Sequence, residues 1–227
     1  MADFESVIDR GLYYVDKTMY LAELEKQPDT LIFIRPRRFG KSLFISMMRA
    51  YYDKSKADCF DALFGSLWIG SHPTPLRNHY QVLYLDFSRI LGNIDVLEEK
   101  FNSYCCDQLN DFIDTYRDDY PKERVEEFLR SDDHGQKLNL LLNMSRKYGQ
   151  ALYLIIDEYD SFTNIVFSEQ VEETYFKTSL IGRFYSHVFK LFKGMFERIF
   201  LTGVSPVTLD DLTSGFNIGW NVSMAPE

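Results

Sequence analysis

Cysteine is scarce in this chain, with three residues among 227, namely Cys59, Cys105 and Cys106. None of them has the spacing of a zinc site or a redox motif, and adjacent cysteines make a poor disulfide pair. This pattern excludes a disulfide framework. We therefore predict reduced thiols and a cytoplasmic protein, because intracellular conditions keep thiols reduced.

Long apolar runs and secretion signals are also missing. The N-terminus reads Met-Ala-Asp-Phe-Glu, which is acidic where a secretion signal is basic. No apolar stretch approaches the ~18 residues that a membrane-spanning helix requires. The sequence therefore predicts no membrane partner. Its length and its 45% of hydrophobic residues are those of a globular protein, and we expect one domain over residues 1–227.

Basic residues are outnumbered, with 25 Lys and Arg against 34 Asp and Glu and a net charge of −9. An acidic chain does not favour direct nucleic-acid binding, which usually needs a basic face. Four basic residues nevertheless lie within seven positions, at Arg35, Arg37, Arg38 and Lys41. Local positive charge in an acidic chain indicates a specific anion site.

These basic residues belong to a phosphate-binding pattern at residues 31–42. Residues 31–34 are a short apolar run typical of a buried parallel strand. Gly40-Lys41-Ser42 then opens a segment whose apolar residues recur with helical spacing. Strand, loop, Gly-Lys-Ser and helix form the layout of a P-loop. The alternative is a basic turn that joins a core strand to a core helix.

Each residue of such a loop has a chemical reason. Backbone N–H groups at a helix N-terminus hold a multiply charged anion. Gly40 lets the backbone approach phosphate, Lys41 places a positive charge on the β- and γ-phosphates, and Ser42 supplies an oxygen for Mg²⁺. Arg35 stands where the usual pattern has its first glycine, and Pro36 has no N–H to donate. The backbone must therefore follow a different path out of the strand from that of the usual P-loop.

A second pattern lies at residues 152–158. Five apolar residues run unbroken into Asp157 and Glu158, which predicts a central strand buried on both faces. Asp157 would hold Mg²⁺, and Glu158 would orient or deprotonate the attacking water. No Asn-Lys-X-Asp motif for guanine occurs. A solvated strand end is the alternative, but the two patterns together favour an ATP site.

The rest of the chain alternates between strands and helices. Thr202 lies near the end of a predicted strand at residues 199–204, where it could sense the γ-phosphate or the attacking water, or be a core threonine bonded to backbone. Asp86 ends another strand, and there a carboxylate more often caps a turn than contacts a ligand. His134 is predicted to be a solvated loop residue. The remaining predicted elements are a short strand at 221–223, a helix after Thr18, and helices at 94–117, 124–130, 136–148 and 171–192.

Five blocks along the chain carry a family resemblance: residues 14–18 (YVDKT), 35–42 (RPRRFGKS), 156–160 (IDEYD), 201–205 (LTGVS) and 214–217 (SGFN). Together they resemble the AAA-ATPase-like domain of a large group of bacterial P-loop proteins. The resemblance implies a three-layer α/β/α fold of the additional-strand type, as in AAA+ and RecA-like proteins. The implied sheet is mainly parallel in the order 5-1-4-3-2, with the Walker A strand beside the strand of Thr202.

The same resemblance implies a longer protein. Members of this group carry a C-terminal continuation, often a nuclease-like domain of the PD-(D/E)XK type. We therefore expect this chain to be an N-terminal part without its lid, and the sequence leaves open whether it forms an oligomer. Arg35 in place of the first glycine is a variant that belongs to the group.

The first hypothesis for the function is an ATPase module that binds ATP and Mg²⁺ and drives or gates an attached or partner domain. Catalytic roles fall to Glu158 and Thr202, and the metal ligands are Ser42 and Asp157. The residues expected to bind the nucleotide are Arg37, Arg38, Phe39, Gly40, Lys41, Ser42 and Leu43.

Two other hypotheses stay open at this point. One is a nucleotide-binding switch with negligible turnover that controls assembly with a partner, which the altered loop entry favours. The other is a nucleic-acid module, against which the net charge weighs. Arg183, in the predicted helix at 171–192, could be an arginine finger or part of a surface ion pair.

Overall fold

A computed structural model describes residues 3–161, 184, 194–204 and 220–223. Most of the predicted helix at 171–192, including Arg183, lies outside the described residues, as do residues 205–219. The described part contains the two sequence patterns that predict a nucleotide site.

The core is a five-stranded parallel sheet in the order β2-β3-β4-β1-β5, which is 5-1-4-3-2 when read from the β5 edge. The strand that precedes the phosphate-binding pattern, β1, therefore lies beside β4, which carries Thr202. The strands are β1 (Thr30–Ile34), β2 (Gln81–Asp86), β3 (Leu152–Asp157), β4 (Arg198–Gly203) and β5 (Trp220–Asn221). The α/β class predicted from the sequence is confirmed.

The described helices lie before β1, between β1 and β2, and between β2 and β3. The predicted helices at 94–117, 124–130 and 136–148 are confirmed within two residues at each end. The helix predicted to begin after Gly40 is also present, whereas the first helix of the chain was not predicted. None of the described helices is long and apolar enough to span a membrane. They are α1 (Phe4–Asp9), α2 (Met19–Glu25), α3 (Lys41–Tyr52), α4 (Phe60–Phe64), α5 (Trp68–Ser71), α6 (Ile94–Thr115), α7 (Lys122–Leu129) and α8 (His134–Lys147), with short 3-10 helices at Lys54–Cys59, Phe87–Arg89 and Arg117–Asp119.

The sheet is covered on both faces because alternate residues of β3 enter two different cores. Tyr153 and Ile155 pack with residues of α1, α3 and α4. Leu154 and Ile156 pack with residues of α6, α7 and α8. All six residues of β3 are buried. This explains its continuous apolar run, since a strand with one solvated face would alternate.

The prediction for His134 is wrong. His134 begins α8 and its side chain is buried. Its backbone N–H donates to Asn102 Oδ1 at 2.9 Å, and its ring Nδ1 lies 2.7 Å from the same oxygen. Asn102 belongs to α6, which packs against α8. The polar turn before α8 therefore ends two residues earlier than expected, at Asp133, and a partner distant in sequence supplies the hydrogen bonds of His134.

The burial of β3 predicts the effect of truncating it. Ile155 is fully buried between strands and helices, so Ile155→Ala should lower the free energy of unfolding by about 2–5 kcal/mol, and Ile155→Val by about 0.5–1.5 kcal/mol. Urea denaturation followed by circular dichroism measures both. Equal stability of the alanine variant and the unmodified chain would contradict the packing described above.

Candidate functional site

The loop between β1 and α3 is shaped by positive backbone φ angles. Gly40 has φ 79° and directly precedes α3, and Arg38 has φ 69°. A left-handed residue at this point suits glycine, which lacks the Cβ that makes the conformation costly. A Cβ built on Gly40 would meet no atom within 4 Å. The space beside the N-terminus of α3 is therefore open to a ligand.

Lys41 is the first residue of α3, and its side chain is buried, with 5% exposed. Its ammonium donates to the Arg35 carbonyl oxygen at 2.9 Å and lies 3.4 Å from Glu158 Oε1. A buried lysine needs such partners, because an unpaired charge out of water is costly. The side chain therefore spans the loop and reaches the end of β3.

The end of β3 is organised around the carboxylate of Asp157, of which 3% is exposed. Its Oδ1 accepts hydrogen bonds from the Thr202 hydroxyl and from the Glu158 backbone N–H, the latter at 3.0 Å. Its Oδ2 lies 3.4 Å from Ser42 Oγ. Thr202 is buried, as the core-threonine alternative expects, but its hydroxyl donates to the Asp157 carboxylate and not to the backbone.

Burial shifts the acidity of both carboxyl groups. Loss of solvation raises the pKa of Asp157, opposed chiefly by the Thr202 hydrogen bond. Loss of solvation also raises the pKa of Glu158, and the Lys41 ammonium opposes that rise. Both carboxylates would thus be stabilised by further positive charge or by hydrogen-bond donors.

The chain turns sharply after Asp157. Glu158 has φ 51°, a left-handed conformation that is uncommon for a residue other than glycine. The next backbone N–H, of Tyr159, donates to the Thr202 carbonyl at 2.9 Å. Gly203 leaves room for this turn, since a Cβ there would lie 2.6 Å from Tyr159 Cε1 and 2.8 Å from Asp160 Oδ1. Close packing of the turn against β4 therefore sets the direction of Glu158.

The other predicted residues lie around this centre. Arg37, Arg38 and Phe39 are exposed in the loop, and Leu43 is half-buried in the first turn of α3. Asp86 pairs in register with Asp157, but its carboxylate accepts from the Ser88 backbone N–H at 3.1 Å and from Arg89 Nε at 3.2 Å. Asp86 therefore caps a turn, which is the more common of its two expected roles.

Sequence reasoning missed two residues that shape the surroundings of the site, Asp160 and Ser223. Asp160 is buried, and its Oδ2 accepts from the Val204 backbone N–H at 2.8 Å, which closes the turn onto β4. Ser223 follows β5 and is buried against the end of β1. Asp160 lies within the IDEYD block, which was a usable signal, whereas no pattern around Ser223 indicates its contact. Among the described residues no cluster of three or more His, Cys, Asp or Glu could hold a metal by itself.

The hydrogen bond from Thr202 to Asp157 should stabilise the fold even without nucleotide, so its removal should lower the free energy of unfolding. Thr202→Val keeps the shape of the side chain but removes the donor, and hydrogen bonds to charged groups contribute about 1.5–3 kcal/mol. We expect a loss of that size in urea denaturation with EDTA present, largely restored in Thr202→Ser. A valine variant as stable as the serine variant would contradict this account.

Comparison with known proteins agrees with the geometry. The family described as "Predicted AAA-ATPase" matches residues 1–213. No curated protein and no solved structure matches the chain. The match covers almost the whole chain, including β3, which ends at Asp157, and β4, which carries Thr202. The chain therefore belongs to the AAA-ATPase-like family of predicted AAA-ATPases.

Proposed function

We propose that this chain is a P-loop module that binds ATP with Mg²⁺ and hydrolyses it. The observation that carries the proposal is the convergence of Lys41, Ser42, Asp157 and Glu158 at one edge of a parallel sheet. These residues come from two segments more than 100 positions apart, with Ser42 Oγ 3.4 Å from Asp157 Oδ2. Ligands of open α/β sheets bind outside the carboxyl ends of the strands, which is this edge.

Phosphate binding would use the N-terminus of α3. The backbone N–H groups of residues 39–43 would hold phosphate in the open space beside Gly40, and the helix dipole favours an anion there. Lys41 is already positioned in the site, held by a neutral carbonyl and by Glu158. A polyphosphate offers Lys41 a stronger partner than the Arg35 carbonyl. The exposed side chains of Arg37 and Arg38 add positive charge to the same loop.

The chemistry of the donor set fits Mg²⁺. Ser42 and Asp157 present a hydroxyl and a carboxylate side by side, and Mg²⁺ prefers oxygen ligands. Protein sites commonly supply only one or two such groups and share the ion with substrate phosphates. When bound, Mg²⁺ neutralises charge that develops on the transferring phosphoryl group. The Thr202 and Glu158 hydrogen bonds hold the Asp157 carboxylate in one orientation for this role.

Hydrolysis would depend on Glu158 and Thr202. A general base works best when its pKa approaches the operating pH, and burial moves the pKa of Glu158 in that direction. Release of Lys41 to phosphate would free the Glu158 carboxylate to orient a water. Thr202 acts through Asp157, since its hydroxyl is committed to that carboxylate.

We further propose that turnover drives or gates an attached or partner domain, for which the family resemblance offers a C-terminal nuclease-like domain. One observation favours a second candidate, a binding switch with negligible turnover. Glu158, the proposed base, lies 3.4 Å from the Lys41 ammonium, and this ion pair engages the carboxylate that would act on water. Multiple turnover of ATP by the chain alone would favour the hydrolase over the binding switch.

Lys41→Ala should raise the Kd for ATP with Mg²⁺ about 100-fold or more, because a buried phosphate partner is lost. Isothermal titration calorimetry measures the affinity. Lys56→Ala is a matched control, since Lys56 pairs with Glu5 outside the loop. Equal affinity of the Lys41 variant and the control would reject the proposed site.

Glu158→Gln should keep ATP affinity within a few-fold and lower kcat by about 10²–10⁴, the usual contribution of a general base. Phosphate release under multiple turnover measures kcat, and calorimetry measures binding. A glutamine variant with the same kcat as the unmodified chain would remove Glu158 from the mechanism.

A further inference from the structure

Arg35 contacts residues of β1, β4, α3 and the segment after β5, although its position usually holds glycine in a phosphate-binding loop. Its backbone N–H donates to the Gly203 carbonyl of β4 at 3.2 Å. Its carbonyl accepts from the Lys41 ammonium. Its guanidinium donates to the Ser223 carbonyl, which follows β5, and lies over the Phe33 ring at 5.1 Å. A glycine would retain the two backbone bonds but neither guanidinium contact.

The segment at residues 220–223 depends on such contacts for its position. β5 pairs with β1 over only two residues, Trp220 and Asn221. The ladder continues for one bond, from the Val222 backbone N–H to the Ile32 carbonyl at 3.0 Å. Ser223 then accepts from the Ile34 backbone N–H through Oγ at 2.7 Å. Hydrogen bonds therefore join the segment at residues 220–223 to the end of β1, where the phosphate-binding loop begins.

We propose that Arg35 is a positioning residue that couples occupancy of the phosphate loop to the segment at residues 220–223. This inference rests on the proposed nucleotide binding. A nucleotide that orders residues 36–42 also fixes the backbone from which the Arg35 side chain extends. The guanidinium then holds the Ser223 carbonyl more firmly.

The coupling works in both directions, because the effect of one site on the other is reciprocal in free energy. Nucleotide stabilises the end of β5, and an attached end of β5 strengthens nucleotide binding. The C-terminal side of the chain thereby has a direct contact with the loop that carries Lys41. Arg35 makes this contact through its side chain, which is a physical reason for the departure from glycine.

Hydrogen exchange followed by mass spectrometry tests the coupling on the whole chain, with and without Mg²⁺ and a non-hydrolysable ATP analogue. The variants are Arg35→Ala and the control Arg130→Ala, which removes an exposed arginine whose nearest carboxylate is Glu126 at 3.9 Å. Each variant is studied at a concentration of the ATP analogue well above its own Kd, which calorimetry measures. In the unmodified chain and in the control, nucleotide should slow exchange at residues 220–223 about fivefold or more, which is a typical coupling between two sites. In Arg35→Ala, nucleotide should hardly change the exchange rate of these residues.

Arg35→Met provides a second variant, which keeps a long side chain but removes the guanidinium donor to the Ser223 carbonyl. It should lose the nucleotide effect on exchange even if Arg35→Ala fails to fold. Equal slowing in Arg35→Ala and the unmodified chain would overturn the coupling, as would bound nucleotide with no slowing in the unmodified chain. Absence of nucleotide binding to the unmodified chain in calorimetry would instead reject the proposed function, and this inference with it.

Discussion

The carboxylate of Asp157 connects the parts of this molecule that give it a candidate site. It ends a strand whose six residues are all buried, accepts hydrogen bonds from Thr202 and the Glu158 N–H, and faces Ser42. A buried carboxylate requires such donors, because an unsatisfied charge in the interior costs several kilocalories per mole. The positions of β3, β4 and α3 are therefore linked through one side chain. Packing brings these elements near each other, and the requirement to satisfy Asp157 makes their arrangement specific.

The second constraint is the charge of Lys41. The chain is acidic overall, yet this cation is buried at the start of a helix, where the helix dipole disfavours it. Its partners are a carbonyl and a carboxylate that shape the loop around open space. Burying the Lys41 ammonium at this point costs stability, a cost that is expected of a site that binds an anion. The same balance explains why burial raises the pKa of Glu158 while Lys41 opposes the rise.

Sequence reasoning succeeded where local pattern and burial agree. The apolar run of β3 and the helical spacing after Gly40 are strong signals, because a strand buried on both faces and an amphipathic helix each have a distinctive period. It failed where a distant partner decides the environment. His134 was expected in solvent, but Asn102 of α6 bonds it in the interior. α1 was missed because six residues with a cap at Asp3 give too short a pattern to read.

The sequence by itself determined the class of the fold and the chemical groups available at the site, because hydrophobic periodicity and the Gly-Lys-Ser and Asp-Glu patterns are local properties. Only the tertiary structure decided which groups meet. Parallel strands deliver their carboxyl ends to one edge, so that Ser42 and Asp157 come within 3.4 Å of each other. The contact of Arg35 with Ser223 joins positions 188 apart. No local pattern predicts such a contact, since it depends on the order of strands in the sheet and not on spacing along the chain.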